Sequence, residues 1–231
     1  TIGAITYCAI NEAAMKSIKI GFVVTNVGGP GVFGYKQSFN SEHLINKIVE
    51  GVLGRNTTKY VTYPFDVHGS DERQYSSQGF RINCISITKD KYYNFPYYHS
   101  SLDNLDFTKA KYISETLDMH IKVMNTLDER KLSLLASSNS TNQKSNNDPA
   151  WRNPNPNCEL MLSKHGLYPK LGGSQLPLTE THNELDIILL LLFWMDGKHS
   201  LKDVISMNGL NVTEVLPVIH KLANKGLLKE E

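Results

Sequence analysis

The chain has 231 residues, a formal net charge of +1 and 40% hydrophobic residues. This length fits one large domain, or a domain followed by a small module. A net charge so close to zero gives no electrostatic case for a nucleic-acid or anionic-membrane partner. The longest apolar run, Ile187 to Met195, is too short to span a bilayer. Three widely separated cysteines without metal-type spacing are typical of a reducing compartment, so we expect a cytoplasmic protein.

The first part of the chain alternates strand-like and helix-like patterns, which predicts an α/β domain. A β-branched run from Ile18 to Val27 predicts a buried strand. The glycine-rich stretch Gly28–Gly34 predicts a tight turn rather than a phosphate-binding loop, because it lacks the spacing of such loops. Ser41 is expected to cap a helix that ends at Gly54. A strand over Lys59–Phe65 would then complete a β-α-β unit with the strand that ends at Val27.

A third strand and the longest helix follow. The strand is predicted over Phe80–Thr88, and the helix from Asp106 or Thr108 to near Arg130. Apolar residues recur every three or four positions along this helix, a pattern that predicts one face packed on a sheet. The predicted core residues of that face are Ala110, Ile113, Leu117, Ile121, Met124 and Leu127.

The composition changes after residue 132, and we take 1–132 as the first domain. Residues 133–181 are rich in Ser, Asn and Pro and predict an irregular, surface-lying connecting segment. Residues 182–231 predict a small all-α module of three short helices and a terminal extended piece, the pattern of a winged helix-turn-helix. Ser200 should cap the middle helix. The apolar stretch Ile187 to Phe193 could supply a homo-oligomer interface.

Two polar segments follow predicted strands. Gly69–Tyr75 comes after the strand Lys59–Phe65, and Tyr98–Asp103 comes after the strand Phe80–Thr88. Ligands of open α/β sheets bind beyond the carboxyl ends of the strands. The two segments therefore predict a functional site.

Each segment contains residues that could carry chemistry. His99 could bind a metal, because a neutral imidazole is the commonest metal ligand, and Asp103 could organise its loop. The alternative is an ordinary loop histidine bonded to backbone. Asp71 and Glu72 could divide acid-base work. The alternative for these two is a solvated acidic turn paired with Arg73.

The last predicted helix could be the DNA-recognition helix of a winged helix-turn-helix. Such a helix needs basic or amide side chains on its exposed face, with Lys and Arg around it to neutralise phosphates. Arginine is absent from residues 182–231, and Glu214 would face the groove. These observations favour packing or oligomerisation over DNA binding. The expected exposed positions are Thr213, Glu214, Pro217, His220, Lys221 and Asn224.

Several segments together resemble a known family. Gly69–Tyr75, Tyr98–Asp103, Asn157–Glu159 and Gly166–Pro169 resemble bacterial aminopeptidase-like proteins that carry a winged-helix tail and often accompany surface-polysaccharide biosynthesis. The turn that begins at Asp196 fits that tail, and the match covers nearly the whole chain. The wider superfamily contains zinc aminopeptidases and glutaminyl cyclases.

The resemblance implies a fold and a chemistry. The fold would be part of an aminopeptidase-like (phosphorylase/hydrolase-type) sheet with helices on its faces. Active members bind zinc and hydrolyse a peptide or amide, with a glutamate as general base. By resemblance His99 corresponds to the last zinc-binding histidine and Asp71 to an aspartate beside the metal. Glu72, Arg73 and Tyr75 would line the pocket.

The chain departs from the family pattern in two ways. The family's earlier zinc-binding histidine and bridging aspartate have no counterpart here, and the family glutamate would precede Thr1. Relatives also tend to have aspartate where this chain has Gly29. We therefore expect the later portion of a longer protein, a poor hydrolase by itself. Two alternatives stay open: a non-catalytic binding or scaffold protein with this fold, and a winged-helix regulator.

Overall fold

The computed structural model describes residues 1–129, 150–168 and 182–230. Within these ranges the chain forms two compact units. The sheet unit contains the described residues of 16–76 and 82–129. The helix-rich unit contains Thr1–Met15, Ser77–Arg81 and the described residues from 150 onward. No helix in the described ranges is both long enough and apolar enough to cross a bilayer.

The sheet unit is built on a four-stranded mixed sheet. Its strands are β1 (Ile20–Phe22), β2 (Phe33–Lys36), β3 (Tyr60–Tyr63) and β4 (Asn83–Thr88), in the order β1-β4-β2-β3. β1 runs parallel to β4, and β2 runs parallel to β3. β2 and β4 are antiparallel, so the sheet contains two pairs of opposite direction. The predicted α/β class is confirmed.

Two helices cover one face of this sheet. α3 is Leu44–Asn56 and α5 is Ala110–Glu129. Their buried side chains form one core with alternate residues of β2 and β4, as the two-residue period of a strand requires. Burial of each large aliphatic side chain contributes about 1.5–3 kcal/mol. The core comprises Phe33, Tyr35, Ile45, Ile48, Val49, Val52, Leu53, Ile85, Ile87, Met119 and Val123.

The strands differ from the prediction in extent and partner. The run Ile18 to Val27 forms a strand only over Ile20–Phe22. Asn26 has a φ of 50°, which a regular strand does not accommodate. The end of the glycine-rich stretch forms β2, which the sequence analysis assigned to a turn, and β2 rather than β1 is the parallel partner of β3. The predicted β-α-β unit therefore begins one strand later.

The start of α3 is fixed by two polar side chains. His43, not Ser41, caps the helix: its Nδ1 accepts a hydrogen bond from the backbone N–H of Ile45 at 3.2 Å. Asn46 is 2% exposed and donates from its side-chain amide to the carbonyl of Ser41 at 3.0 Å. Its Oδ1 accepts hydrogen bonds from Tyr35 and from the Ser38 backbone. The helix continues past Gly54 to Asn56.

The face of α5 that was predicted as core is mostly wrong: of its six residues, only Leu127 packs against the core. Ile113, Leu117, Ile121 and Met124 are 43%, 55%, 40% and 43% exposed. The buried residues of the helix are Thr116, Met119, His120 and Val123. The apolar periodicity is real, but the described sheet covers only the neighbouring part of the helix surface.

The helix-rich unit combines three helices with a small sheet. α6 (Glu184–Trp194), α7 (Leu201–Asn208) and α8 (Val212–Asn224) correspond to the three predicted helices. The unit is not all-α, because β6 (Asp196–Ser200) and β7 (Lys229–Glu230) pair antiparallel with β5 (Ala150–Arg152). β5 lies in the segment that was predicted to be irregular. The remaining described helices are α1 (Ile2–Ile10), α2 (Glu12–Ser17), α4 (Glu72–Tyr75) and a 3₁₀ helix (Leu162–His165).

Capping explains where the helices of this unit begin. Asn183 and Asp186 form reciprocal side-chain-to-backbone bonds at the start of α6, and Ser200 and Asp203 do the same for α7. The predicted cap at Ser200 is confirmed. The apolar residues of α6 from Ile187 to Phe193 are mostly buried in this chain, which contradicts their use as an oligomer interface. Residues 133–149 and 169–181 of the predicted connector lie outside the described residues, as does the predicted helix end near Arg130.

The carboxyl end of α6 receives donors from the short segment Ser77–Arg81. Gln78 Nε2 donates to the carbonyls of Leu192 and Met195, each at 2.9 Å. The guanidinium of Arg81 donates to the Phe193 carbonyl at 3.3 Å. A cation at this end of a helix also interacts favourably with the helix dipole. The terminal carbonyls of α6 therefore find their partners more than a hundred residues away in sequence.

Arg81 also forms the main ion pair of the helix-rich unit. Its Nη2 lies 2.8 Å from Asp196 Oδ2, and the two side chains are only 23% and 13% exposed. Burial would raise the pKa of Asp196, but hydrogen bonds from His199 and the charge of Arg81 outweigh it and hold that pKa below its usual range. His199 Nδ1 lies 2.9 Å from Asp196 Oδ1.

Replacement of Asp196 by Asn should destabilise the helix-rich unit at pH 7 by about 1–3 kcal/mol, because the partly buried charge of Arg81 loses its partner. The folded-state pKa of Asp196 is depressed. Its stabilising contribution is therefore present above the unfolded pKa of about 3.9 and is lost as pH falls. Urea unfolding from pH 7 to pH 2 should show a steeper loss for wild type than for Asp196→Asn. Exposed Asp106→Asn is the control, and parallel curves for wild type and Asp196→Asn would contradict the prediction.

Candidate functional site

The two predicted polar segments leave the sheet at opposite ends. β3 runs parallel to β2, whereas β4 runs antiparallel to β2, so β3 and β4 end at opposite edges. The expectation that both segments extend from one carboxyl edge is wrong. The segment after β4 nevertheless returns across the sheet face opposite α3 and α5, where Tyr92 reaches the segment after β3.

The meeting point is the ammonium group of Lys36. Lys36 lies next to the core residue Tyr35, so its side chain points to the opposite face of the sheet. Its Nζ lies 2.8 Å from Glu72 Oε1, 3.0 Å from Asp66 Oδ1, 2.9 Å from the Tyr92 hydroxyl and 2.7 Å from the His68 carbonyl. We call these five residues the Lys36 cluster. An ammonium has three N–H groups, and the four nearby oxygens provide an acceptor for each of them.

Burial of its charged groups makes this cluster costly in desolvation free energy. Lys36 is 4% exposed and Glu72 is 1% exposed, so both charges have lost most of their hydration. Glu72 Oε2 is buried and accepts no hydrogen bond within the described residues. Burial, and then the charges of Asp66 and Glu72, raise the pKa of Tyr92, so its hydroxyl stays protonated. The cluster joins β2 to the first polar segment and to the loop after β4 that leads to the second.

Asp71 and Glu72 therefore have different environments. Glu72 pairs with Lys36 rather than with Arg73, and it is not a solvated turn residue. Asp71 precedes α4, and its backbone carbonyl accepts hydrogen bonds from Gln74 and Tyr75. Arg73 donates to the Val67 carbonyl at 3.3 Å.

A row of aromatic rings connects the cluster to His99. The ring of Tyr92 lies 6.5 Å from that of Tyr98, and the ring of Tyr98 stacks on the imidazole of His99 at 4.0 Å. His99 is exposed and has a φ of 56°, an uncommon conformation for a residue other than glycine. Such backbone conformations are enriched at functional sites. The structure thus brings His99, Tyr98 and the acidic segment into one continuous set of contacts.

Two of the predicted pocket residues lie apart from His99. Asp103 is exposed, and its backbone N–H donates to the Ser100 carbonyl at 3.2 Å. Its carboxylate forms no hydrogen bond to His99 in the described part of the chain. Tyr75 is partly buried, and its carbonyl accepts a hydrogen bond from the Ile82 backbone. Among the residues described, no three His, Cys, Asp or Glu side chains come together in a way that could hold a metal ion.

The glycine-rich stretch packs closely against the carboxylate of Asp90. The backbone N–H of Gly31 donates to Asp90 Oδ2 at 3.2 Å. A Cβ at Gly29 or at Gly31 would overlap the Asp90 carboxylate, and one at Gly31 would also lie 2.5 Å from the Lys89 carbonyl. These glycines are thus required by the close approach of Asp90.

A cavity of about 450 Å³ lies in a different part of the sheet unit. It is formed at the start of β2, the end of α3 and the first half of α5. Lys89 contributes to its wall and forms an ion pair with Glu115 at 3.0 Å. None of the predicted site residues lines this cavity. The lining residues are Gly31, Val32, Phe33, Asn56, Thr57, Thr58, Lys59, Lys89, Glu115, Asp118, Met119 and Lys122.

Sequence reasoning missed the residues at the centre of the Lys36 cluster. Lys36 lies in β2, a strand that follows three glycines and whose first residues were assigned to a turn. Asp66 and Tyr92 lie in loops without any motif. The only available signal was the alternation of Phe33 and Tyr35 with smaller or polar residues, which is typical of a half-buried strand.

Comparison with known families gives two matches. Residues 1–130 match a family described as a domain of unknown function, DUF4910, and residues 149–230 match a winged helix-turn-helix family. The first match covers more than half of the chain, so the chain belongs to the DUF4910 family. The predicted winged-helix fold is confirmed.

Two further comparisons find similar proteins from Clostridium acetobutylicum. The chain is 32% identical over 234 residues to a protein provisionally named a polysaccharide biosynthesis protein with an aminopeptidase-like domain. It is 29% identical, with a TM-score of 0.53, to a crystal structure provisionally described as a peptidase. The match covers 99% and 100% of this chain, but 48% and 46% of those proteins. The chain thus spans about half the length of its relatives. The predicted resemblance to aminopeptidase-like proteins is confirmed.

Replacement of Lys36 by Met should lower the free energy of unfolding of the sheet unit by about 3–5 kcal/mol, because Glu72 and Asp66 keep their charges without a partner. Lys59→Met, at an exposed lysine, should change it by less than about 0.5 kcal/mol. Adding Glu72→Gln to Lys36→Met should recover part of the lost stability, since it removes one buried charge that has lost its partner. Urea unfolding followed by circular dichroism measures all three. Equal stability of the two lysine variants would contradict a structural role for the cluster.

The glycine loop gives a matched pair of substitutions. Gly31→Ala should destabilise the sheet unit by about 1–3 kcal/mol, because the Lys89 backbone carbonyl cannot move away easily. Gly54→Ala should instead stabilise it by up to about 1 kcal/mol, since Gly54 lies in α3 and nothing lies within 4 Å of an added Cβ. Thermal unfolding of both variants tests the signs. If Gly31→Ala left the thermal stability unchanged, Asp90 would not be tightly enclosed by the glycine loop.

Proposed function

We propose that this chain is part of an aminopeptidase-like hydrolase that acts on a peptide or amide substrate in the cytoplasm. The observation that supports this most is the continuous set of contacts from the Lys36 cluster through Tyr92 and Tyr98 to His99. It joins the two segments that carry the family resemblance. The provisional peptidase and aminopeptidase-like names of the two relatives point in the same direction.

His99 is the residue that we propose to contact substrate or metal. Its imidazole is exposed, and the stacked Tyr98 ring fixes its orientation. By the resemblance the metal would be zinc, and a catalytic zinc site takes about three protein ligands. The described residues do not fit such a site, because they offer no group of three possible ligands. His99 would supply one donor, and the others would come from beyond the described residues.

The acidic residues have different proposed roles. Glu72 is buried and held by Lys36, so we do not assign it as the general base. Together with Lys36 it keeps the segment Gly69–Tyr75 in place next to the Tyr92 ring. Asp71, Arg73 and Tyr75 remain proposed wall residues of the substrate pocket. Asp103 is proposed to lie at its rim, since it is exposed and follows His99 in the same loop.

Metal analysis and a peptidase assay test this proposal. We expect the complete protein that contains these 231 residues to bind zinc and to hydrolyse amino-acid 4-nitroanilides. His99→Ala should lower zinc content and reduce kcat/KM by at least about 100-fold. His220→Ala, at an exposed position of α8, is the matched control. Equal zinc in the wild type and the His99→Ala protein would remove His99 from the site.

A non-catalytic binding or scaffold protein is the second candidate. One observation favours it: the buried Glu72 serves the structure and is not available to activate water. In that case the complete protein would bind peptide or amide ligands with no turnover, and zinc loss would leave ligand affinity unchanged.

The winged-helix unit is proposed to serve packing rather than DNA recognition. Lys221 of α8 forms an ion pair with Glu184 at the start of α6, so contact with a phosphate would have to break that pair. Thr213, Glu214, Pro217 and Asn224 are exposed, as the sequence predicts, and Glu214 would repel a phosphate backbone.

A further inference from the structure

Among the described residues two lysines are buried, Lys36 and Lys89, and their ammonium groups have different surroundings. Lys36 Nζ has four oxygen neighbours. Lys89 is 7% exposed, yet within the described ranges its Nζ donates to one oxygen, Glu115 Oε2, at 3.0 Å. The same Nζ lies 4.4 Å from the centroid of the Phe33 ring and 5.5 Å from that of Tyr112.

The ammonium of Lys89 therefore keeps unused donor capacity. Aromatic faces stabilise a cation, but they accept hydrogen bonds only weakly. An ammonium carries three N–H groups, and one carboxylate oxygen accepts from one of them. Burial makes an unused donor costly, so an acceptor oxygen next to Lys89 would be strongly favoured.

Lys89 lies in the wall of the cavity of about 450 Å³ at the start of β2, which we call the Lys89 cavity. This volume falls within the range of about 300–1,000 Å³ that is typical of small-molecule sites. Phe33 and Met119 also line the cavity, and both are buried members of the core. The cavity thus combines a buried ammonium with apolar surface that could contact the carbon part of a ligand.

The charges around the Lys89 cavity favour a negative ligand. Lys59, in the loop between α3 and β3, and Lys122 of α5 line it, and both are exposed. Neither of these lysines forms an ion pair with another described residue. The carboxylates of the lining are Glu115, which already pairs with Lys89, and Asp118. Three ammonium groups against two carboxylates leave a positive excess, which attracts anions.

The lining residues of α5 lie on one face of the helix. Glu115, Asp118, Met119 and Lys122 recur at intervals of three or four residues, and such positions share a face. Met119 belongs to the core, so this face has a fixed position. A wall that is already in place lowers the entropic cost of binding.

We propose that the Lys89 cavity binds a small organic anion, whose carboxylate or phosphate oxygen accepts a hydrogen bond from Lys89. The apolar part of the ligand packs on Phe33 and Met119. Lys59 and Lys122 attract the anionic group, and Asp118 repels it from its own side of the cavity. None of the residues proposed for hydrolysis lines this cavity, so the anion site is separate from the His99 loop.

Calorimetric titration of the complete protein that contains these 231 residues tests the proposal. The probes are benzoate, phenyl phosphate and benzamide, which has the shape of benzoate without its charge. We expect saturable binding of benzoate or phenyl phosphate, and the tighter of the two identifies the oxyanion. Benzamide should bind at least about 10-fold more weakly. More salt should weaken binding of the anions, because it screens the lysine charges.

Matched variants locate the bound anion. Lys89→Met should weaken its binding at least about 10-fold, and Lys122→Met about 3-fold. Lys47→Met removes an exposed lysine of α3 outside the cavity and should leave affinity unchanged. Thr58→Trp, at an exposed lining position, should weaken binding by filling space without a change of charge. This variant and Lys122→Met keep the test decisive if Lys89→Met fails to fold.

Several outcomes would overturn the anion site. They are the absence of saturable binding of both anions, equal affinity for benzoate and benzamide, and equal affinity of wild type and the cavity variants. His99→Ala should bind the anion as tightly as wild type. Loss of binding in His99→Ala would assign the anion to the His99 loop instead. None of these readouts depends on hydrolysis, so the proposal can fail or hold independently of the proposed activity.

Discussion

The position of the candidate site depends on the buried ammonium of Lys36. Side chains or backbone from β2, the segment after β3 and the loop after β4 converge on it, although those strands run in opposite directions. Desolvation of a lysine and a glutamate is costly, and the cost is offset only when every N–H group finds an acceptor at short distance. Because four oxygens meet this requirement, the loops that carry the family motifs are held against one face of the sheet.

This constraint separates structural residues from exposed ones. Glu72 is a buried acid in the segment Gly69–Tyr75, and its charge pairs with Lys36 inside the fold. His99 is reached from the cluster only through aromatic rings, and it is exposed at the end of that row. An exposed imidazole on a rigid aromatic base can contact a substrate or a metal, whereas a buried carboxylate held by lysine cannot.

In the helix-rich unit, a charged side chain from a distant segment likewise satisfies polar groups of the fold. There a partly buried arginine, Arg81, from a short and distant segment donates to the carbonyl end of α6 and pairs with the carboxylate of Asp196. In both units, a charge that is far away in sequence satisfies polar groups that local structure leaves open. In the sheet unit, α5 also keeps a row of exposed apolar side chains, which includes Ile113 and Leu117.

The sequence by itself determined the local elements and the family. Hydrophobic periodicity, Ser200 as a cap, and the motifs around Asp71 and His99 predicted the helices, the winged-helix tail and the aminopeptidase-like class, because these signals lie within a few residues of each other. Strand direction, the burial of Glu72 and the exposure of Leu117 depend on which segments pair across the sheet. Periodicity shows that a helix has an apolar face, but not what covers it. Only the tertiary structure decided those features, since the antiparallel entry of β4 and the partners of Lys36 come from residues up to 56 positions apart.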